Sequence, residues 1–478
     1  MFRDPFLKLT LKQVCLILAL IVGCRVTRCY LIIPVMLMGL YYAFSNQRGK
    51  ALIFYMLVPF LSIINPMVLP KTSVFSAPTR IGMMLMTIGL FLAANRSVGK
   101  QRLPFGWLFA FVLCAILSSA QGYFPMISYF KIINYVFFIL GIYYGTKNIN
   151  HRPGDVELVR ANFFAFSIII IAGSIATLPF PSIAYYVTAR HVISKAGVAA
   201  AEEFLQYRDQ NLFCGITIHS QFLAPMLSCI AGWLICDMLY IEKKFEKIHL
   251  ALIAVIPPML YATRSRIGFF SFGVMLIMVY FYCMPRIRLR SDIKGRINVG
   301  FICLLFMIVA AMGIAQVRDQ SISKWLRKTN DIVDDQRSLT EALTSSRQGA
   351  IEANMRDFRR APLLGTGFQV IERHRQLYDA GYISLFSAPI EKGILPLMVL
   401  GETGVLGASV FAVFLIVFYF SCVQHRYYAT LSLFTVLLST NMAESTFFSP
   451  SGGGGIYWMM TVVGGFIVDM MVGRMRQA

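Results

Sequence analysis

Three groups of residues in this chain combine types that could act on a phosphorylated substrate. The first is Ala262-Thr263-Arg264-Ser265-Arg266-Ile267-Gly268, a short stretch between two apolar runs. Two arginines at that depth are costly unless they are paired or line a wet cavity, so Arg264 and Arg266 are candidate ligand contacts; the alternative is that they reach out to lipid headgroups. The second group is Arg347, followed by Arg356, Arg359 and Arg360. Guanidinium suits phosphate because its planar fork donates two parallel hydrogen bonds and keeps its charge. Arg347 shares an apolar helical stripe, whereas Arg359 and Arg360 read more simply as a solvated basic face. The third group is Glu391-Lys392, just before an apolar run that carries Glu402. One of the pair could act as a base and the other as an anion contact. A carboxylate inside a span needs a partner, and an arginine of the first two groups is the candidate; Glu444 is a weaker case of the same kind.

The elements that must position these groups are membrane spans. Of 478 residues, 57% are hydrophobic, against roughly 45–50% for soluble domains. A spanning helix needs about 20 apolar residues, which predicts an all-α, polytopic transmembrane bundle of about 12–14 spans. They are expected near 10–24, 29–45, 51–69, 80–95, 105–120, 128–146, 160–179, 216–240, 249–262, 267–284, 298–315, 394–421, 428–445 and 455–472. The N-terminal region has a charged segment and then an apolar one, as a signal peptide does, but no small-residue cleavage site follows, so it is expected to remain as the first span.

The net charge of +21 is concentrated in alternate short connections, which by the positive-inside rule predicts both termini in the cytoplasm. The organisation expected is N-terminal spans over 1–179, a first outward loop over 180–215, further spans over 216–315, a large outward helical loop over 316–393, and C-terminal spans over 394–478. The second loop keeps a high density of Lys and Arg, as a segment with something anionic to hold would. Within it, Ser338 and Glu341 resemble a capping box, and Leu343, Arg347, Ile351 and Met355 follow at helical spacing. Ala361-Pro362 should stop that helix, and Gly365 and Gly367 should turn the chain back toward the membrane. Gly452 to Gly455 should permit close packing or a bend.

Composition also excludes functions. The cations divide between two sides of a membrane, which argues against nucleic acid as a partner. Most of the ten cysteines, among them Cys15, Cys114, Cys229, Cys236, Cys283, Cys303 and Cys422, lie inside or at the ends of apolar runs and read as small buried hydrophobes. No Cys/His cluster has zinc spacing, so neither a structural metal nor a cofactor is expected.

An Arg-Ile-Gly opening a span, an outward loop with arginine and APLLGTGF (361–368), and a re-entering helix with GETGVLG (401–407) together resemble the O-antigen ligase and Wzy polymerase superfamily. The resemblance covers roughly residues 205–410. It implies a metal-independent, inverting glycosyltransferase of the periplasmic face of a bacterial inner membrane. Such an enzyme moves a glycan from an undecaprenyl diphosphate donor to an acceptor, either lipid A core or another lipid-linked glycan, among membrane lipids. Arg266 and Arg347 match the family's diphosphate-holding arginines, Arg264 is a near neighbour, and Arg356 and Glu402 would support them. Many ligases carry His-Asn at the re-entry, with the histidine proposed as base. This chain has Gly393-Ile394 there, preceded by Glu391-Lys392, so either Glu391 takes the role or the chain belongs to a divergent branch, polymerase-like or of unknown acceptor. His191, His219 and His374 are other candidate bases. Two further readings stand beside this one: a transporter or flippase of lipid-linked oligosaccharide, and a non-catalytic component of an exopolysaccharide system.

Overall fold

The computed structural model describes residues 4–70, 77–94, 104–147, 149, 153–185, 212–242, 247–283, 339–372, 374–379, 393–450 and 452–477. Among them the regular structure is helical, apart from one isolated antiparallel bridge between Ile64 and Thr217. The expected all-α polytopic bundle is therefore the architecture observed. Seven of the described helices are long and apolar enough to cross a membrane, and four shorter apolar ones accompany them. The expected span at 298–315, the start of the large loop with Ser338, most of the first loop with His191, and the pair Glu391-Lys392 lie outside the described residues.

The chain runs up and down through α1 (Pro5–Val26), α2 (Ile32–Phe44), α3 (Arg48–Ile63), α4 (Ala77–Ala94), α5 (Phe105–Ala120), α6 (Pro125–Thr146) and α7 (Pro153–Ala176). A short turn, α8 (Pro181–Ala184), precedes α9 (Ser220–Asp237), α10 (Lys247–Thr263) and α11 (Arg266–Met278). After α12 (Leu339–Arg360) and α13 (His374–Asp379) come α14 (Leu395–Gln424), α15 (Tyr428–Asn441), α16 (Gly453–Trp458) and α17 (Phe466–Gln477), the last two joined by a π turn over Met459–Gly465. Starts follow helix-initiation chemistry. Asp4 accepts from the Phe6 amide ahead of α1, His219 Nδ1 accepts from the Gln221 amide ahead of α9, and prolines open α6 and α14.

Helices on the outside of the bundle show apolar side chains: Val22 of α1, Leu37 of α2, Leu113 of α5 and Phe420 of α14 are each at least 60% exposed. That pattern suits lipid as the solvent, since a water-facing surface would carry charge instead. α3, α9 and α15 are buried along most of their length.

The end that the charge pattern predicts as cytoplasmic is held by buried ions. Arg160 of α7 binds Asp237 of α9 through Nε and Nη2 at 2.7 and 2.8 Å, and its Nη2 also reaches Glu242 at 2.5 Å. His249 of α10 takes a second bond to Asp237 at 3.1 Å, and the Phe6 ring lies 4.0 Å from the Arg160 guanidinium. Asp469 of α17 accepts from the amides of Ala429 and Thr430, satisfying donors that the first turn of α15 leaves over.

Candidate functional site

At the opposite end, the motif at 401–407 is the place where α14 breaks. Gly404 has φ 63° and ψ −169°, a region reserved in practice for glycine, so one helix stops near Thr403 and another starts at Val405. A break leaves carbonyls and amides without helical partners, and inside a bilayer each must be paired. The segment that follows α12 supplies the partners. Thr366 N donates to Gly401 O at 3.1 Å and Gly367 N to Glu402 O at 3.2 Å; in return Val405 N donates to Pro362 O at 2.8 Å and Leu406 N to Leu363 O at 3.3 Å. The two sequence motifs are thus one interlocked backbone unit.

Close approach explains the glycines. A Cβ at Gly365 (φ 78°) would collide with the backbone of Glu402, and one at Gly404 with the backbone of Leu363. Arg360 ends α12 immediately before Ala361-Pro362, as the sequence predicts. The turn then goes further than an outward loop. Thr366, Phe368, Gln369 and Val370 are buried between α5, α6 and α14. Gly367 N and Phe368 N donate to the hydroxyls of Ser118 and Ser119, Ser128 Oγ donates to Phe368 O at 2.9 Å, and Lys131 Nζ donates to Gln369 O at 2.8 Å. Gln369 Nε2 reaches Phe448 O at 2.7 Å, which ties this segment to the turn between α15 and α16.

Glu402 is 1% exposed, and Ser118 Oγ donates to its carbonyl. α12 packs along the same part of α14, with Asn354 O opposite Gly401. Arg347 therefore stands on a helix laid over the broken segment, although of Arg347 itself only the backbone is described. Arg356 and Arg359 are exposed. Arg360 bonds Tyr123 Oη at 3.3 Å and Glu372 at 3.1 Å, while Tyr123 Oη donates to Asp357 at 2.8 Å. Partial burial and the Asp357 carboxylate raise the Tyr123 phenol above its ordinary pKa.

The second part of the site is the turn between α10 and α11. Arg264 sits in the left-handed region at φ 50°, Ser265 is the residue before the helix, and Arg266 is its first residue; both arginines are half-buried. α11 is pressed against α9, where Ser228 Oγ donates to Gly268 O at 2.9 Å, and against α15, where Ser271 meets Thr440 at 3.2 Å. Ser265 is 2% exposed, and its Oγ has no hydrogen-bond partner among the described residues. A helix start whose preceding residue is a buried serine with no partner for its hydroxyl among the described residues, with an arginine on either side of it in sequence, suits a phosphate-like anion.

The structure thus brings Arg347, Arg356 and Glu402 into one unit of α12 and α14, and sets Arg264 and Arg266 on α11 beside α9 and α15. The turn after α15, which contains buried Glu444 and Phe448, is bonded to the first unit through Gln369 and follows the helix against which α11 packs. Gly393, where the resembled family carries histidine, has φ 82°, which gives a backbone reason for glycine there. Sequence reasoning missed Ser118, Ser119, Lys131, Gln369 and the partners Tyr123, Asp357 and Glu372 that gather around Arg360. A signal existed only for Lys131, a cation inside an apolar run. Among the described residues no group of three or more His, Cys, Asp or Glu is placed to hold a metal ion. No protein-family model matches the chain, and no curated protein matches it.

Proposed function

We propose that the chain transfers a glycan from undecaprenyl diphosphate to an acceptor sugar, on lipid A core or on another lipid-linked glycan, at the periplasmic face of a bacterial inner membrane. Both termini are then cytoplasmic. The observation that supports the reading is the Arg264-Ser265-Arg266 turn at the start of α11, where the buried Ser265 hydroxyl has no partner among the described residues and lies between two half-buried arginines in sequence. A sugar diphosphate is already an activated leaving group. Transfer needs positive charge on the departing diphosphate and a base at the acceptor hydroxyl. In this reading Arg264, Arg266 and Arg347 hold the diphosphate, Arg356 and Glu402 support them, and Glu391 takes the acceptor proton with Lys392 as a further anion contact. The acceptor oxygen bonds to the anomeric carbon from the face opposite the diphosphate, the bond to the diphosphate breaks, and the configuration inverts.

The broken helix α14 favours a second reading, since discontinuous helices near the membrane interior are common in transporters of anionic substrates. Deletion of the gene, with the surface polysaccharide run on a gel, separates the two. Complementation uses wild type, Glu391→Gln and Arg347→Ala. Loss of long chains with a single repeat still attached means a polymerase, and loss of every repeat with lipid-linked polymer accumulating outside means a ligase. Lipid-linked glycan retained on the cytoplasmic side means a transporter. An unchanged profile sinks the transfer reading.

A further inference from the structure

Cys24 and Cys29 lie where α1 ends and turns into α2. Both are completely buried. The amide of Cys29 donates to the carbonyl of Cys24 at 2.6 Å, a helix-terminating bond that reaches back five residues. Arg28 and Cys29 both adopt left-handed backbone, at φ 49° and 69°, which folds the chain sharply enough to close that bond. The bonds linking the two Cα atoms through it, laid end to end, come to about 6.8 Å, and any bend shortens the path. Disulfides join Cα atoms roughly 4.4–6.8 Å apart. Both are free thiols in the structure, and Cys29 Sγ lies 3.2 Å from Pro70 O.

A second pair sits at the other end of the bundle. Cys236 of α9 lies beside Cys283, in the π turn that ends α11, and both are completely buried. Arg25 anchors the first pair to the same end as the candidate site, because it donates to the carbonyls of Met67 and Val68 in the turn after α3. Among the described residues the chain therefore carries a close pair of cysteines at each end, and only one end can face an oxidising compartment.

We propose that Cys24 and Cys29 form a disulfide that closes the turn between α1 and α2 on the periplasmic side, while Cys236 and Cys283 stay reduced at the cytoplasmic end. The proposal rests on the membrane orientation given under the proposed function and not on the glycan chemistry. The two thiols lose two protons and two electrons and one S–S bond forms. The electrons reduce the disulfide of a periplasmic thiol oxidase to a dithiol. Because both sulfurs are buried in the folded chain, oxidation precedes the docking of α1 and α2, and the finished bond resists reductants until the protein is denatured.

The test is made on the full chain in its host membrane. Membranes are denatured in N-ethylmaleimide, so that free thiols are blocked, and digested with trypsin without reductant. Cleavage after Arg25 and Arg28 leaves the peptide ending at Arg25 joined to the one starting at Cys29 only if the bond exists. The expected result is that joined pair, separated by reduction, with Cys236 and Cys283 carrying maleimide. C24S should leave Cys29 carrying maleimide, and C236S should leave the joined pair intact; the wild-type digest decides the matter even if the variants fail to accumulate. Maleimide on both Cys24 and Cys29 in the wild type overturns the proposal. A joined Cys236–Cys283 pair with maleimide on Cys24 and Cys29 overturns it by reversing the orientation, and leaves the glycan gel to decide the chemistry separately.

Discussion

At Gly404 the backbone of α14 lies directly against Leu363, so that a Cβ on residue 404 would come within 2.3 Å of the Leu363 carbonyl. The relation is reciprocal, because Gly365 meets Glu402 in the same way and four backbone hydrogen bonds run between the two strands of chain. Sequence positions 40 residues apart are thereby one structural unit.

Gly404→Ala and Gly365→Ala should therefore destabilise the fold. The backbone conformation alone costs about 1–3 kcal/mol for a residue with a Cβ, and the collision adds to it. Gly273→Ala, where a Cβ meets nothing within 4 Å, should be neutral or slightly stabilising. Thermal unfolding of the detergent-solubilised protein, followed by loss of its monodisperse peak, checks this. Equal melting of all three variants would contradict the interlock.

The diphosphate contacts proposed for Arg264, Ser265 and Arg266 make a different prediction. Arg264→Ala and Arg266→Ala should each reduce transfer at least about 100-fold, the scale seen when one donor to a developing negative charge is removed, with unchanged membrane levels. Ser265→Ala removes a hydrogen bond to a charged group, about 1.5–3 kcal/mol, so a loss of roughly 10–100-fold is expected. Arg266→Lys should rescue poorly, since an ammonium lacks the paired donors of guanidinium. Near-full transfer in both alanine variants, measured with purified lipid-linked donor, would remove these residues from the reaction.

At the opposite end, Arg160→Ala should cost about 3–5 kcal/mol because it strands the carboxylate of Asp237, which is 0% exposed. The double change Arg160→Met with Asp237→Leu should recover much of that loss, as the only carboxylate it leaves without its arginine is the partly exposed Glu242. A double variant less stable than Arg160→Ala would show that the ions contribute net stability.

Ser118 and Arg360 offer a contrast within one site. Ser118 Oγ is buried, accepts from Gly367 N at 3.1 Å and donates to Glu402 O, so Ser118→Ala should cost about 1–3 kcal/mol. Arg360 is exposed, and its bonds to Tyr123 and Glu372 are screened, so Arg360→Ala should leave stability close to that of the wild type. Denaturation midpoints measured side by side decide between them. An Arg360→Ala effect equal to that of Ser118→Ala would mean the surface cluster is more tightly coupled to the interlock than its exposure allows.

Much of the fold was legible because lipid imposes a coarse rule. A run such as 128–146 has to become a helix, since no other local structure satisfies its amides in hydrocarbon, and α6 covers Pro125–Thr146. The end of α12 was equally readable, because proline at 362 blocks continuation and the glycines at 365 and 367 permit left-handed turns. The expected span at 394–421 held as a location and not as a continuous helix. Glycine inside an apolar run is ordinary, and only the partner strand at 362–367 makes a break at Gly404 affordable.

Sequence by itself determined the solvent, the helical class, the stops of α12 and the chemical character of Arg264, Arg266, Arg347 and Glu402. These follow from hydropathy, backbone sterics and side-chain charge, all of which are local. Only the tertiary structure decided that Thr366 to Val370 enter the bundle, that Ser118 and Lys131 hold them there, and that Ser265 is buried with a hydroxyl unpartnered among the described residues. Those facts depend on which distant segment meets the unpaired groups of another, and a partner across 40 or 250 residues leaves no periodicity in the chain that needs it.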